Sequence, residues 1–521
     1  MRVLIFHGYL LRGTGSNVYN ASLARALARG GHEVHILCQD RSAQDAPFVD
    51  AVGDWDSGRL RVRTLREPVR CTAYRPDIGG VLPVYVADEY EGLTAVPLPD
   101  LDGEAIERYL AANAAAVAAV AARVEPEAAL ANHLVMGPAV LARALAGRVP
   151  YVVKVHGSAL EYTVRPHRDR FLPYAREGLE AAEAVLVGSR HTAESLWEVM
   201  ADDRLPARTR LGPPGVDVEA FRPRAPAEAA TRLEALAERL ERSGATGWGG
   251  EAGAAQALRI LDPASEPIVA YVGKLIVSKG IDLLLAAWPL VVARAPAARL
   301  CVVGFGTYRG GLLRLAAGLA AGDLAAARDV ASRGRELEGG PRHPLRLLTA
   351  FLNRLEAGRL AGAVRSAEYL DAAPRAFERV HFTGALEHGD LPDLLGACSA
   401  QVVPSTFPEA FGMVAAEAAC CGVLPISAAH SGLAEVTATL APAVEADLRP
   451  LLAFDVDDEP VEGIAGRLLG WLGAGEAARE RGAAALSEAA RGRYGWDQVA
   501  DSVLAAATGR IDELPVPGRV P

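Results

Sequence analysis

Lysine is nearly absent from this chain, which carries three in 521 residues, so arginine supplies almost all of its 54 basic side chains. Acidic side chains number 64, and the formal charge of -10 excludes the general cationic surface of a nucleic-acid binder. Local basic patches stay open. Cysteine is also scarce, and the six present (Cys38, Cys71, Cys301, Cys398, Cys420, Cys421) have no metal-type spacing, which leaves reduced, buried thiols as the expected state. The longest apolar run, Leu283 to Ala293, contains Pro289 and falls well short of the roughly 20 residues that cross a bilayer. Met1 to His7 is too short an apolar run for a secretory signal and reads as a first strand. A cytoplasmic protein is expected, with association at a membrane surface left open.

What is present is a globular composition, with half the residues hydrophobic and 23% charged. A chain of this length exceeds what one core usually holds, so two domains are expected. Short strand-like runs at Val3 to Phe6, Val34 to Cys38, Tyr151 to Val155 and Ala184 to Val187 alternate with helical stretches such as Val18 to Arg29 and Ile106 to Val124. The pattern repeats at Ile268 to Val272, Arg299 to Val303, Val380 to Phe382, Ala400 to Val403 and Val423 to Ile426. Alternation of this kind predicts α/β architecture with two separate parallel sheets.

Clustered Gly and Pro in Leu211-Gly-Pro-Pro-Gly-Val-Asp217 place the boundary there, giving domains over 1–213 and 214–493. Ala225 to Gly253 reads as a helix followed by a loose loop. Helical sequence from about Leu312 to Arg379 separates two strands that usually lie closer together, and reads as a helical insertion within the second domain. It is either a solvated elaboration or a device for a partner or acceptor. Tyr494-Gly-Trp-Asp497 opens a last amphipathic helix, and Leu514 to Pro521 reads as a frayed end.

Glu409 and Glu417 stand eight positions apart in Pro404-Ser-Thr-Phe-Pro-Glu-Ala-Phe-Gly-Met-Val-Ala-Ala-Glu417. The spacing predicts one carboxylate in a loop and the other about one turn inside a helix. Between them Phe411, Gly412, Met413 and Val414 offer free N–H groups at a helix start, which favour an anion such as a diphosphate. Carboxylates for polyol hydroxyls beside amides for phosphate describe a nucleotide-sugar pocket. Two of the three lysines, Lys274 and Lys279, flank the loop after Tyr271-Val-Gly, where they either neutralise a diphosphate or are merely solvated.

Gly13-Thr-Gly-Ser16 follows the first strand, as a plain strand-to-helix turn or as a phosphate contact at the helix start. His156 ends a strand, beside Gly157, either as a structural residue or as a donor to a sugar hydroxyl or leaving phosphate. Two arginine series, Arg59, Arg61, Arg63, Arg66 and Arg70, then Arg165, Arg168 and Arg170, are solvated faces or contacts for an anionic acceptor or lipid headgroup.

With these residues in hand the chain resembles the retaining glycosyltransferases of family 4, of the glycogen synthase-like superfamily, which have the two-Rossmann-domain GT-B fold. The resemblance is carried by Gly15 before Leu23 to Val34, by His156-Gly157, and by Pro214 to Pro223. It continues through Val272 to Gly280, Phe382-Thr-Gly384, Pro404-Ser405, Glu409 to Glu417 and Gly432-Leu-Ala-Glu435. It implies a hexosyltransferase that takes a nucleotide-diphosphate sugar as donor and needs no metal, because cationic side chains replace its charge.

By resemblance, Glu417 takes the ribose hydroxyls, Glu409 the sugar hydroxyls, and Gly412, Met413 and Val414 supply amides near sugar and phosphates. Lys279 holds the diphosphate with Lys274 beside it, Gly15 reaches it from the first domain, and His156 lies near the donor sugar. The final helix, in 494–521, is expected to cross back to the first domain. The chain departs from the family pattern at Lys274, usually Arg, at Thr14, usually Gly, and in the insertion. The acceptor stays open among glycans, lipid-linked and small molecules. The alternatives are a sugar-nucleotide epimerase on a similar fold, and a non-catalytic sugar-nucleotide-binding scaffold.

Overall fold

A computed structural model describes residues 1–13, 15–85, 92–243, 251, 253–360, 362, 364–457 and 459–518. The expectation for Thr14, part of the loop after the Ala225 helix, and the last residues of the Pro-rich end lie outside the described residues. The chain divides into two compact units, Met1–Gly215 with Tyr494–Pro521, and Val216–Arg493.

The first unit is built on a nine-stranded sheet of β1 (Arg2–Phe6), β2 (Glu33–Leu37), β3 (Ala51–Asp56), β4 (Arg59–Thr64), β5 (Cys71–Arg75), β8 (Ala128–Asn132), β9 (Tyr151–Val155), β10 (Ala184–Val187) and β11 (Thr209–Leu211). Their order is β11-β10-β9-β8-β1-β2-β5-β3-β4, parallel throughout except for the β3–β4 hairpin at one edge. β6 (Val81–Val84) and β7 (Thr94–Pro97) form a small parallel pair outside it.

Alternation along a strand sends successive side chains to opposite faces, so both faces of a central strand need apolar residues. In β1, Leu4 and Phe6 enter the core under helix Gly103–Val124, while Val3 and Ile5 enter the core shared with helices Gly15–Arg29 and Trp496–Ala507. Helix Gly103–Val124 has the length and composition of a membrane span. Its buried stripe (Ile106, Tyr109, Leu110, Asn113, Val117, Val120) instead belongs to the core of this unit.

The second unit carries β12 (Ile268–Val272), β13 (Arg299–Val303), β14 (Val380–Gly384), β15 (Ala400–Val403), β16 (Leu424–Ala428) and β17 (Ala453–Phe454), all parallel, in the order β14-β13-β12-β15-β16-β17. Helix Ile281–Val292, buried at every position, backs the sheet. Between the adjacent strands β13 and β14 the chain makes helices Arg309–Ala320, Leu324–Arg333, Arg346–Glu356 and Ser366–Phe377. One helix suffices to cross between parallel neighbours. Helices Ser366–Phe377, Arg309–Ala320 and, less extensively, Arg346–Glu356 pack against Ile281–Val292, and Leu324–Arg333 packs on Arg309–Ala320 and Arg346–Glu356, so the stretch carries helices additional to a single crossover.

Candidate active site

In the second unit the C-terminal ends of β12 and β15 bring Lys279 to Glu409, 130 residues on: Nζ lies 2.5 Å from Oε1. The lysine is delivered by a 3-10 turn, Val277–Lys279, that ends at Gly280. Gly280 has φ +65°, and a Cβ there would stand 1.9 Å from the Pro404 carbonyl oxygen, so only glycine lets the turn meet the β15 loop. Thr406 N–H donates to the Ser278 carbonyl at 3.0 Å and closes the two loops together.

Glu409 is fixed through its backbone. Ser431 Oγ accepts from its N–H at 2.9 Å, and its carbonyl accepts from Gly432 N–H at 3.0 Å. Its Oε1 also accepts from Ser405 Oγ at 2.5 Å, while Oε2 has no protein partner among the described residues. Burial pushes this carboxyl up, but the Lys279 charge, the bonds from Lys279 and Ser405 and the nearby His430 outweigh it, holding it below the usual carboxylate range.

Glu417 sits in the helix Met413–Cys420, 2% exposed, and its Oε1 meets His388 Nε2 at 2.7 Å. His388 comes from a 3-10 turn just after β14 and lies tilted at 43° to Phe221, ring centroids 5.5 Å apart. Sequence reasoning did not single it out. The helix is entered through Gly412 at φ +116°, where a Cβ would collide with Leu433. The N–H groups of Gly412, Met413 and Val414 meet no acceptor among the described residues. Lys274, half-buried beside Leu275, accepts from Tyr271 Oη at 2.9 Å through its carbonyl, while its side-chain nitrogen has no hydrogen-bond or ion-pair partner among them. One end of this unit therefore presents free amides, an uncommitted cation and two carboxylates, each held by a cationic or imidazole partner.

The other sequence candidates lie in the first unit. Gly15 is exposed and opens helix Gly15–Arg29, three residues earlier than expected. His156, at the end of β9, bonds through Nε2 to Asn132 Oδ1 at 2.8 Å, and Asn132 Nδ2 in turn donates to Asn20 Oδ1 at 2.7 Å. Two further histidines crowd this edge: the His133 ring centroid is 4.9 Å from that of His156 and 6.2 Å from that of His7. Burial first, then repulsion from His133, Lys154 and His7, pushes His156 well below the usual histidine range, so at neutral pH it is an uncharged hydrogen-bonding group.

Of the arginine series, Arg59, Arg61 and Arg63 project from the exposed face of edge strand β4. Arg165, Arg168 and Arg170 are committed internally, to Glu161 and Ser195, to the Val199 carbonyl, and to the Pro99 and Leu101 carbonyls.

Comparison with known proteins follows the same division. Residues 13–220 match the family model described as Glycosyltransferase Family 4, and residues 364–441 that described as Glycosyl transferases group 1. A D-inositol 3-phosphate glycosyltransferase of Xylanimonas cellulosilytica is 26% identical over 498 residues, covering 94% of this chain and 90% of the relative. Another, from Segniliparus rotundus, is 27% identical over 63% of this chain and 53% of its own length. Among solved structures, a sucrose-phosphate synthase from Thermosynechococcus elongatus superposes with a TM-score of 0.57 at 20% identity, over 98% of each chain. Anabaena HepE in complex with UDP and glucose gives 0.53 at 14% identity, over 98% of this chain and 99% of the other. At such identities the structural likeness speaks to the fold.

Proposed function

Because the chain belongs to the family 4 glycosyltransferases with the GT-B fold, enzymes that move a sugar from a nucleotide sugar, we propose that it transfers the sugar to an acceptor hydroxyl with retention of anomeric configuration. The observation that carries this reading is the arrangement of Lys279, Ser405 and Glu409. Both protein bonds fall on Oε1 of Glu409, which leaves Oε2 for a sugar hydroxyl. Glu417, oriented by His388, takes the ribose hydroxyls. The free amides of Gly412, Met413 and Val414, with Lys274 and Lys279, receive the diphosphate.

In the reaction, the acceptor oxygen forms its bond to the anomeric carbon on the face from which the diphosphate departs. The breaking C–O bond leaves its electron pair on the diphosphate, which accepts the acceptor's proton. Amides and lysines fixed in advance stabilise the charge that grows there. Glu409 positions the sugar and is not required as a nucleophile. No metal is needed on this reading, since the lysines supply the counter-charge.

The test is incubation with UDP-, GDP- and ADP-sugars, with and without EDTA, and proton NMR of the anomeric signal of the first product. Phosphorylated cyclitols are the first acceptors to try, after the inositol-phosphate enzymes to which the chain is similar. Expected are a retained anomer, indifference to EDTA, and loss of donor binding in Glu417→Ala. An epimerised donor with its diphosphate linkage intact, or normal turnover in Glu409→Ala combined with Lys279→Ala, would sink the assignment.

A further inference from the structure

We propose that Glu338, contributed by the additional helices between β13 and β14, is a positioning residue that holds the Lys279 turn in its donor-binding form. The inference rests on the donor site described above. It assigns work to a segment that the two family matches leave uncovered, since they stop at residue 220 and resume at 364.

The turn Val277–Lys279 needs support on two sides. On one side Ser278 is bonded to Thr406, next to the Glu409 loop. On the other, the N–H of Val277, the first residue of the turn, donates to Oε2 of Glu338 at 2.8 Å. The side chain of Glu338 is only 10% exposed, and its second oxygen accepts from Arg335 Nε at 3.1 Å. Both oxygens are therefore committed, one to its own 3-10 turn and one to the lysine turn.

That 3-10 turn, Arg335–Glu338, is itself built tightly. Gly334 before it has φ +51° and touches His343, where a Cβ would stand 1.9 Å from the carbonyl oxygen. Arg335 N–H also donates to that carbonyl, at 3.3 Å, and Leu345 N–H ties the segment back to Ala331 at 2.8 Å. Helix Arg346–Glu356 beyond it is anchored by Arg354 to Glu462 at 2.8 Å. A carboxylate fixed in this way sets where the turn begins, and two residues later that sets where Lys279 Nζ stands.

Charge and geometry act in opposite senses here, which makes the proposal separable from simple electrostatics. An anion near a diphosphate site weakens ligand binding by repulsion, whereas a support for the lysine strengthens it. Positioning predicts that Glu338→Ala weakens binding. Repulsion alone predicts that it tightens it.

The experiment titrates UDP, GDP and ADP into wild type, Glu338→Ala, Glu338→Gln, Lys279→Ala and the Lys279→Ala/Glu338→Ala double variant, with sugar-nucleotide turnover measured alongside. Glu338→Ala should weaken the tightest nucleotide and lower kcat/KM about tenfold, the size expected for a lost hydrogen bond to a charged group. Glu338→Gln keeps an acceptor for Val277 N–H and should stay within about threefold of wild type. The double variant should be no worse than Lys279→Ala, because Glu338 acts through the lysine. Unchanged or tighter binding in Glu338→Ala, or additive losses in the double variant, overturns the inference while leaving the donor site standing. If Lys279→Ala also binds and turns over as wild type does, the donor-site reading falls with it.

Discussion

Glu409 is kept ionised by its neighbours and not by exposure to water. Because its folded carboxyl lies below the ordinary value of 4.5, its contribution to stability is fully present above that value and is lost as pH falls through the folded one. Glu409→Gln removes the charge but keeps an oxygen toward Ser405, and it frees Lys279. Turnover should fall about tenfold to a hundredfold, the range for a charge-assisted bond to a sugar hydroxyl. Affinity for the nucleoside diphosphate alone should hold or rise, because the released ammonium can turn to phosphate. Calorimetry with the nucleoside diphosphate beside kinetics with its sugar donor separates the two, and a parallel loss of both would mean that Glu409 serves the phosphates through Lys279, by fixing the ammonium, and not the sugar. The pair at Glu409 and Glu417 is legible because loop and helix are local, so spacing alone places each carboxylate. The lysines are legible from their scarcity. His388 carries no such signal, since a lone histidine in Glu-His-Gly-Asp finds its carboxylate only once the fold has brought the turn after β14 and the helix Met413–Cys420 to one end of the unit.

At the scale of elements, runs rich in Val and Ile read as strands correctly, while Ala128–Asn132 does not, because Ala-Ala-Leu-Ala-Asn has helical propensity and becomes β8 only by pairing between β1 and β9. The series Arg59, Arg61, Arg63 reads as a basic patch, yet its period of two is that of a strand with Leu60 and Val62 turned inward and the arginines guarding an exposed edge. β8 and β9 also end in the histidine cluster, where burial lowers His7 to about 4 and, joined by repulsion from its neighbours, pushes His133 and His156 well down. Folded values below the unfolded 6.5 mean that the unfolded chain binds the extra protons. Stability is therefore full above pH 6.5 and falls as pH drops from there toward 4, by about 1.4 kcal/mol per pH unit for each such histidine. His133 is the cleanest probe: it is 2% exposed, neither ring nitrogen has a partner among the described residues, and φ is +68°. His133→Asn, which tolerates that backbone angle, should flatten the fall of the melting midpoint between pH 6.5 and 4. An unchanged slope would show that His133 is not protonated on unfolding in that window.

The whole molecule is two cores that draw differently on the order of the chain. The second unit is a continuous stretch, Val216–Arg493, whereas the first is completed only by Tyr494–Pro521. Its closing helix brings Trp496, Val499, Val503 and Leu504 into the same core as Leu23 and Leu27, and Trp496 lies 5.4 Å from the Tyr19 ring and against Gly215, which has no Cβ to obstruct it. Beyond the helix the chain is still bound: Leu514 is buried, and the Pro515 carbonyl accepts from Leu211 N–H at 2.8 Å on β11. Composition at that end, rich in Pro and short of apolar side chains, reads as fraying because the hydrogen bond is made by backbone and leaves no trace in side-chain pattern. Removing a buried Trp alone costs about 3–5 kcal/mol, comparable to a large part of a domain's net stability. A chain ending at Arg493 should therefore lose the cooperative unfolding of its first unit while the second still melts as one and still binds the nucleoside diphosphate through Glu417 and Lys279. Calorimetry should show one transition vanish and the other persist. Loss of both would mean that the second core depends on the first, and persistence of both would mean that the closing helix covers the first core without completing it.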